Sequence, residues 1–313
     1  MTVRYRYILY GIVVESDFRL TSVEEAGRGD GAPAIEIAFG PVATFREKTP
    51  GLSPAFDDWI KHAVLADGSV YIAVDGIFET IVSADGKRVV CARLGTPDDR
   101  SFEANLMNFV VSTALTLWGE EPLHATVVDM AGRTVGLLGS SGAGKSTLAA
   151  CLIAQGADLL TDDMLRITFA GQSMLAHAGP YRLKLFDEPA RQFLPQAASR
   201  GHFNGFSGKV MVEPRGSGRS LRSPRPLSAL FWLDEPPSAC GDVSTRRMSG
   251  AALAKALLSS AMNIRYSAPE RLSRQVRFAE RVGRSLPVYA LSYPRQFEVM
   301  DRVVEEIRKT AQS

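Results

Sequence analysis

The chain has 313 residues, 45% of them hydrophobic and 22% charged, a composition that excludes disorder, collagen and coiled coil. No run of about 18 apolar residues occurs, which excludes a membrane-spanning helix. The net charge of +2 is unevenly spread: residues 181–313 hold 22 Lys and Arg against 12 Asp and Glu, and the remainder is acidic. That basic half suits an anionic partner.

The N-terminus, MTVRYRYILYGIVVESD, meets charge too early for a signal peptide. Cys91, Cys151 and Cys240 are scattered, without metal-ligand spacing, and suit a reducing compartment. A cytoplasmic location is therefore expected.

In chain order, residues 1–100 read as a strand-rich N-terminal domain with a role in substrate recognition. Tyr5–Val14 and Ala34–Phe39 are apolar or alternating runs, and Val70–Val74, Ile77–Val82 and Lys87–Ala92 follow closely. Asp85-Gly86 joins the last two as a tight hairpin. Asp57, Asp58 and His62 fall in a predicted short helix. The stretch 96–101 reads as a linker into residues 101–313, which begin with a helix over Ser101–Trp118.

Strands at Ala125–Asp129 and Thr134–Leu138 flank a hairpin turn. A glycine-rich turn then leads into a helix over Lys145–Gln155, stopped by Gly156. A strand at Ala157–Leu160 runs into Asp162-Asp163. Further strands are predicted at Leu165–Phe169, Tyr181–Phe186, Lys209–Val212, Leu227–Leu233 and Leu286–Leu291. Helices are predicted at Gly250–Met262, Glu270–Val282 and Arg295–Lys309. Two loops stand out: Gln196–Gly208, with Phe203 and Phe206, and Pro214–Pro226, whose Arg215, Arg219, Arg222 and Arg225 meet no acid.

The chemistry centres on residues 139–147, GSSGAGKST. Gly139, Gly144, Lys145 and Ser146 satisfy G-x-x-x-x-G-K-[ST] between a predicted strand and a predicted helix. Gly139, Ser140, Ser141, Gly142, Ala143, Gly144, Lys145, Ser146 and Thr147 thus form a cradle for nucleotide phosphates. Glycines let the backbone wrap with its N–H groups inward, and the helix N-terminus favours negative charge. Lys145 is placed to reach the β- and γ-phosphates and Ser146 to ligate Mg²⁺. Asp162-Asp163 ends the next strand, where a metal-supporting carboxylate belongs. Neighbouring strand residues face opposite ways, so the two serve different roles unless the strand ends there. His124, at a strand start, is the other candidate; His62, His177 and His202 read as structural.

The stretch LHATVVDMAGRTVGLLGSSGAGKSTLAACLIAQGADLLTDDMLRI, residues 123–167, resembles the catalytic core of the HPr kinase/phosphorylase family. His124 lies 21 residues before Lys145 and Asp163 lies 18 after it, the separations of that family's active-site His, Lys and Asp. The resemblance implies an α/β fold: a P-loop kinase domain of the HPr kinase and phosphoenolpyruvate carboxykinase type, preceded by a smaller strand-rich domain. It also implies ATP and Mg²⁺ as cofactors. Carried over, Lys145 holds phosphate, Ser146 holds Mg²⁺ with support from Asp162, and Asp163 takes the proton from the substrate serine. His124 stabilises the transferring group or orients Asp163, and Arg247 is the choice for the family's late catalytic arginine. Glu188 sits 25 residues after Asp163, where a metal-linked Glu is expected.

The chain departs from the family in two places. Thr147 stands where the family has Glu, and YRLKLFDEP replaces the E-I-R-G-x-G signature tied to phosphorolysis and HPr docking. The opening YRYILYGIVVESDFRL and the ending SLPVYALSYPRQFEVMDRVVEEI resemble instead the short HPr-kinase-like proteins, some of which serve lasso-peptide biosynthesis.

The expected activity is transfer of the ATP γ-phosphoryl group to a serine of a peptide or small protein, foremost a ribosomally made precursor peptide. An HPr-like carrier protein is the alternative acceptor and a small molecule the third. A nucleotide-binding regulator without phosphotransfer competes from another class, but it does not need an acid beside the γ-phosphate. A nucleic-acid ATPase lacks a stacking platform here. No membrane or nucleic-acid partner is expected, and a homo-oligomer stays open.

Overall fold

The computed structural model describes residues 4–27, 29–52, 58–205, 207–214, 223–234 and 242–312. It is a mixed α/β protein that divides into two compact units, residues 1–120 with 263–271 and residues 121–262 with 272–313. Among the described residues no helix is long and apolar enough to cross a membrane.

The first unit is built on one eight-stranded sheet. Its strands are β1 (Tyr5–Leu9), β2 (Ile12–Ser16), β3 (Glu24–Glu25), β4 (Ile35–Phe39), β5 (Ile60–Val64), β6 (Val70–Val74), β7 (Phe78–Val82) and β8 (Arg88–Arg93). Their order is β3-β1-β2-β4-β8-β7-β6-β5. The run expected as one strand over Tyr5–Val14 folds back at Tyr10-Gly11, where φ is 51° and 73°. Positive φ at both central residues is the turn that matches the twist of a two-stranded hairpin.

His62 and its neighbours, expected in a helix, form β5 instead, because His62 pairs opposite Ile72 of β6. Asp57 lies outside the described residues. Helix α1 (Val42–Lys48) buries Phe45 against Tyr71, Ala73, Ile81 and Ala92. Helix α2 (Asp99–Leu106) is capped by Asp98, whose carboxylate accepts from Ser101 N at 2.9 Å. A π-helical stretch over Met107–Val111 leads into α3 (Ser112–Leu117). This whole helix, expected at the head of the second domain, belongs to the first unit.

The second unit contains β9 (Thr126–Met130), β10 (Arg133–Leu138), α4 (Lys145–Ala154), β11 (Asp158–Thr161), β12 (Ile167–Ala170) and β13 (Ser173–Ala176). After β14 (Leu183–Leu185) come α5 (Asp187–Phe193), α6 (Pro195–Ala198), β15 (His202–Asn204), β16 (Lys209–Val212) and β17 (Arg225–Leu233). The chain ends through β18 (Ser244–Arg247), α7 (Gly250–Ser259), α8 (Pro269–Ser285), β19 (Val288–Ser292) and α9 (Met300–Thr310).

Its main sheet runs β11-β9-β10-β17-β13-β12, with β19 on β17 and β18 outside β19. Strand alternation gives this sheet two apolar faces. Val135, Leu137, Ala229, Phe231 and Leu291 meet α4 and α9 on one side. Leu138, Leu230, Val288 and Ala290 meet Ala256 and Leu257 of α7 and Ala279 and Val282 of α8 on the other. Helices on both faces of a largely buried sheet make a layered α/β core. A separate three-stranded sheet runs β14-β16-β15.

Candidate active site

The turn from β10 into α4 has the backbone its glycines demand. Gly139, Gly142 and Gly144 adopt φ of 145°, 81° and 94°. A Cβ on Gly139 would also lie 3.1 Å from Ala143 Cβ and 3.3 Å from the Leu233 carbonyl, so the loop closes only over a bare glycine. Helix α4 starts at Lys145 and aims its N-terminal N–H groups into the loop. Lys145 is buried, with its Nζ donating to the carbonyls of Gly139 at 2.9 Å and Ser140 at 3.0 Å. Burial lowers its pKa below the ordinary lysine value, against the pull of Asp162 and Asp163.

One helical step on, Ser146 Oγ donates to Asp162 Oδ1 at 3.3 Å, an oxygen that also accepts from Thr126 Oγ1 at 2.7 Å. Asp162 Oδ2 accepts from the backbone N of Lys184 at 2.9 Å. Asp162 is thus fully partnered, and burial, followed by the adjacent Asp163, pushes its pKa up. The Ser146 hydroxyl and the Asp162 carboxylate form an oxygen pair suited to a hard divalent cation. Among the described residues no trio of His, Cys, Asp and Glu can hold a metal alone, so such an ion would also need oxygens from a bound phosphate.

Asp163 is set differently. Strand β11 ends at Thr161, and Asp163 takes the left-handed φ of 70°, which turns it away from Asp162. Its Oδ2 lies 2.5 Å from the Lys184 ammonium. Burial alone would raise the pKa of this carboxyl, but the Lys184 ammonium, with Arg182 behind it, holds it well below the usual carboxylate range.

His124 fixes the same turn. Its backbone N donates to the Ser260 carbonyl at 2.6 Å, and its Nδ1 lies 2.8 Å from the Asp163 carbonyl oxygen. A carbonyl can only accept, so Nδ1 carries the proton and Nε2 of the neutral ring is an acceptor. Burial, then the charge of Lys145, lowers the His124 pKa and keeps the ring neutral.

The structure therefore brings Lys145, Ser146, Asp162, Asp163 and His124 into one constellation. Ser140, Ser141, Gly142 and Ala143 line a cavity of about 630 Å³ beside the loop, with Trp232, Arg246 and Lys255 across it. Thr147 sits half-buried in the first turn of α4. Arg247 does not line that cavity. It is exposed on the edge strand β18, its guanidinium 5.7 Å from the Tyr289 ring, and the neighbouring Arg246 takes the place facing the loop. Glu188 is exposed in the first turn of α5.

Lys184 and Arg182 are the site residues that sequence reasoning missed; their signal was a pair of cations in a segment already expected to be a strand. Of the basic loop, Arg215, Arg219 and Arg222 lie outside the described residues, as do Phe206 and Cys240, while Arg225 begins β17.

No protein-family model matches this chain, and no curated protein matches it. Among solved structures, the HPr(Ser) kinase/phosphatase from Coxiella burnetii aligns over 61% of this chain and 96% of its own, at 12% identity and a TM-score of 0.33.

Proposed function

We propose that this chain is an ATP-dependent kinase that phosphorylates a serine hydroxyl of a peptide or small protein. The observation that carries the reading is the pairing of a phosphate loop with two adjacent carboxylates in different settings. Asp162 is tied to the metal-side serine at 3.3 Å, and Asp163 is turned away and ionised beside Lys184 at 2.5 Å. A protein that only senses nucleotide has no use for the second.

The glycine loop and Lys145 would hold the phosphates of ATP, and the cavity along Ser140–Ala143 would take its nucleoside. Ser146 and Asp162 fit Mg²⁺, which when bound neutralises charge on the β- and γ-phosphates. In the transfer, the acceptor oxygen bonds to the γ-phosphorus as the bond from that phosphorus to the bridging oxygen breaks. The bridging electron pair leaves with ADP, and the hydroxyl proton passes to the Asp163 carboxylate. Its low pKa makes Asp163 a weak base, which a loose transition state tolerates because the carboxylate's main task is to stay ionised and orient the hydroxyl. Lys184 positions Asp163, and His124 locks the left-handed turn that presents it.

A ribosomally made precursor peptide is the acceptor favoured, since the segment replacing the HPr-docking signature, YRLKLFDEP, contains Lys184 and builds β14. An HPr-like carrier is the second candidate. Incubation of serine-bearing peptides with ATP and Mg²⁺, read by mass spectrometry, should show a phosphate gain lost in Lys145→Ala. Nucleotide binding with no acceptor phosphorylated across peptide and carrier panels would leave only the sensor.

A further inference from the structure

This inference rests on the kinase reading and concerns its acceptor. The register of the three-stranded sheet sorts its side chains. Lys184 of β14 lies opposite Met211 of β16, which in turn lies opposite His202 of β15. The next row pairs Lys209 with Asn204. Directly opposed residues share a face, and so do residues two apart along a strand. Lys184, Lys209 and His202 therefore share one face, while Leu183, Leu185 and Val212 turn to the core on the other. Lys209 Nζ stands 5.2 Å from the centre of the Phe186 ring, which places that ring on the same face.

The face starts at Asp163, through the Lys184 contact. Along it Met211 and Asn204 are buried, so its accessible end is the one formed by Lys209 and Phe186, the latter 57% exposed. Lys184 is already committed to Asp163. Lys209 has no ion pair among the described residues; its ammonium faces the Phe186 ring, and its charge is also felt by Lys145. Asp187, next to Phe186, is held by Arg191 at 2.9 Å and does not cancel this charge. An exposed ring with an ammonium beside it offers one apolar and one cationic contact without enclosing the ligand. It suits an extended chain laid beside the catalytic carboxylate, with a negative group meeting Lys209.

We infer that the sheet face bearing Lys209 and Phe186 docks the acceptor, and that the preferred acceptor is a peptide with Asp or Glu close to its serine. Lys209 and Phe186 are specificity residues; neither exchanges a proton or bond with the reacting atoms.

The test compares short fluorescein-labelled peptides with a central serine flanked by Asp, by Asn or by Lys. Binding is read by anisotropy and phosphorylation by mass spectrometry, with a fluorescent ATP analogue reporting that each variant is folded. The full-length chain should bind the Asp peptide about fivefold more tightly than the Asn peptide, the scale of one half-exposed charge pair. Lys209→Gln should erase that ratio, Lys209→Glu should favour the Lys peptide, and Phe186→Ala should weaken all three. Phosphorylation without acidic preference, or a preference unmoved in Lys209→Gln, overturns the docking face and leaves the kinase reading intact. The predicted ratios in binding with no peptide phosphorylated support the face and overturn the kinase reading.

Discussion

Replacing Lys184 with Met would remove the ammonium 2.5 Å from Asp163 Oδ2 while keeping an unbranched stem of similar length. The Lys184 backbone N–H that serves Asp162 at 2.9 Å would survive, so the variant probes the charge alone. At that separation and an effective dielectric near 20, the gross attraction is about 7 kcal/mol. Desolvation and side-chain ordering offset part of it, and the side chains are 12% and 21% exposed, so about 3 kcal/mol of stability should be lost. The sign follows from Asp163, whose folded pKa lies below its unfolded value. Its contribution is present above the ordinary carboxylate pKa and disappears as pH falls through that value toward the folded one. The deficit of Lys184→Met should therefore be full at pH 7 and shrink in acid. Denaturant unfolding of wild type, Lys184→Met, Asp163→Asn and the double variant at pH 7 closes a cycle, with an expected coupling of about 2–3 kcal/mol. Single effects that add to within about 0.5 kcal/mol would refute the pair as the holder of Asp163.

Lys145→Ala should weaken binding of a fluorescent ATP analogue by about 10²-fold, as expected for loss of a charge-assisted phosphate contact; unchanged affinity would move the nucleotide away from this loop. Asp163→Asn should keep nucleotide binding and lose phosphotransfer by about 10³-fold, whereas Asp162→Asn should weaken the Mg²⁺ dependence of binding; the reverse pattern would exchange their roles. Buried His177, its Nε2 2.8 Å from Thr168 Oγ1, has its pKa pushed down to about 4 by burial. The folded chain thus holds this ring neutral, and stability should fall by about 2 kcal/mol as pH drops from 6.5 to 4, with His177→Gln flattening that slope in a urea titration.

How much of this site could be read from the residues depended on how far apart its parts lie in sequence. The glycine-rich turn was legible because its nine positions are contiguous and Gly139, Gly142 and Gly144 each answer a local backbone demand. Asp162 and Asp163 were legible because they follow the same helix at a fixed distance. Lys184 was not, since its approach to Asp163 depends on the pairing of β14 with β16, and no local pattern announces that sheet. The arginine shows the same limit on a finer scale. Strand β18, STRR, has no apolar alternation to mark it as a strand or to fix its register. On a strand a shift of one residue exchanges the two faces, so Arg246 and Arg247 exchange roles with it. In the first unit, Tyr10-Gly11 lacked the Asn or Asp that usually signals a hairpin, and one predicted strand became two.

The adjacent carboxylates illustrate how the fold assigns different work to identical side chains. Had β11 continued through both, alternation would have sent one into the core, where an unpaired carboxylate is costly. The strand stops at Thr161 instead, and the next two residues part company. Asp162 stays in line and is held by Thr126, Ser146 and the Lys184 backbone, three donors that fix it as a support. Asp163 turns through a left-handed conformation that a non-glycine residue adopts only under constraint. That constraint comes from His124 on its carbonyl and Lys184 on its carboxylate. The His124 contact aims Asp163 and the Lys184 contact keeps it ionised, so the turn and the charge of the carboxylate are fixed together. A neutral His124 is required for this arrangement, because a second proton on Nε2 would place another cation beside Lys145 and remove the acceptor the ring presents. Burial of the ring secures that neutral state. The site is therefore a set of charges held apart by backbone geometry, and the proposed kinase would use Lys145 for phosphate, Asp162 for support and Asp163 for the proton.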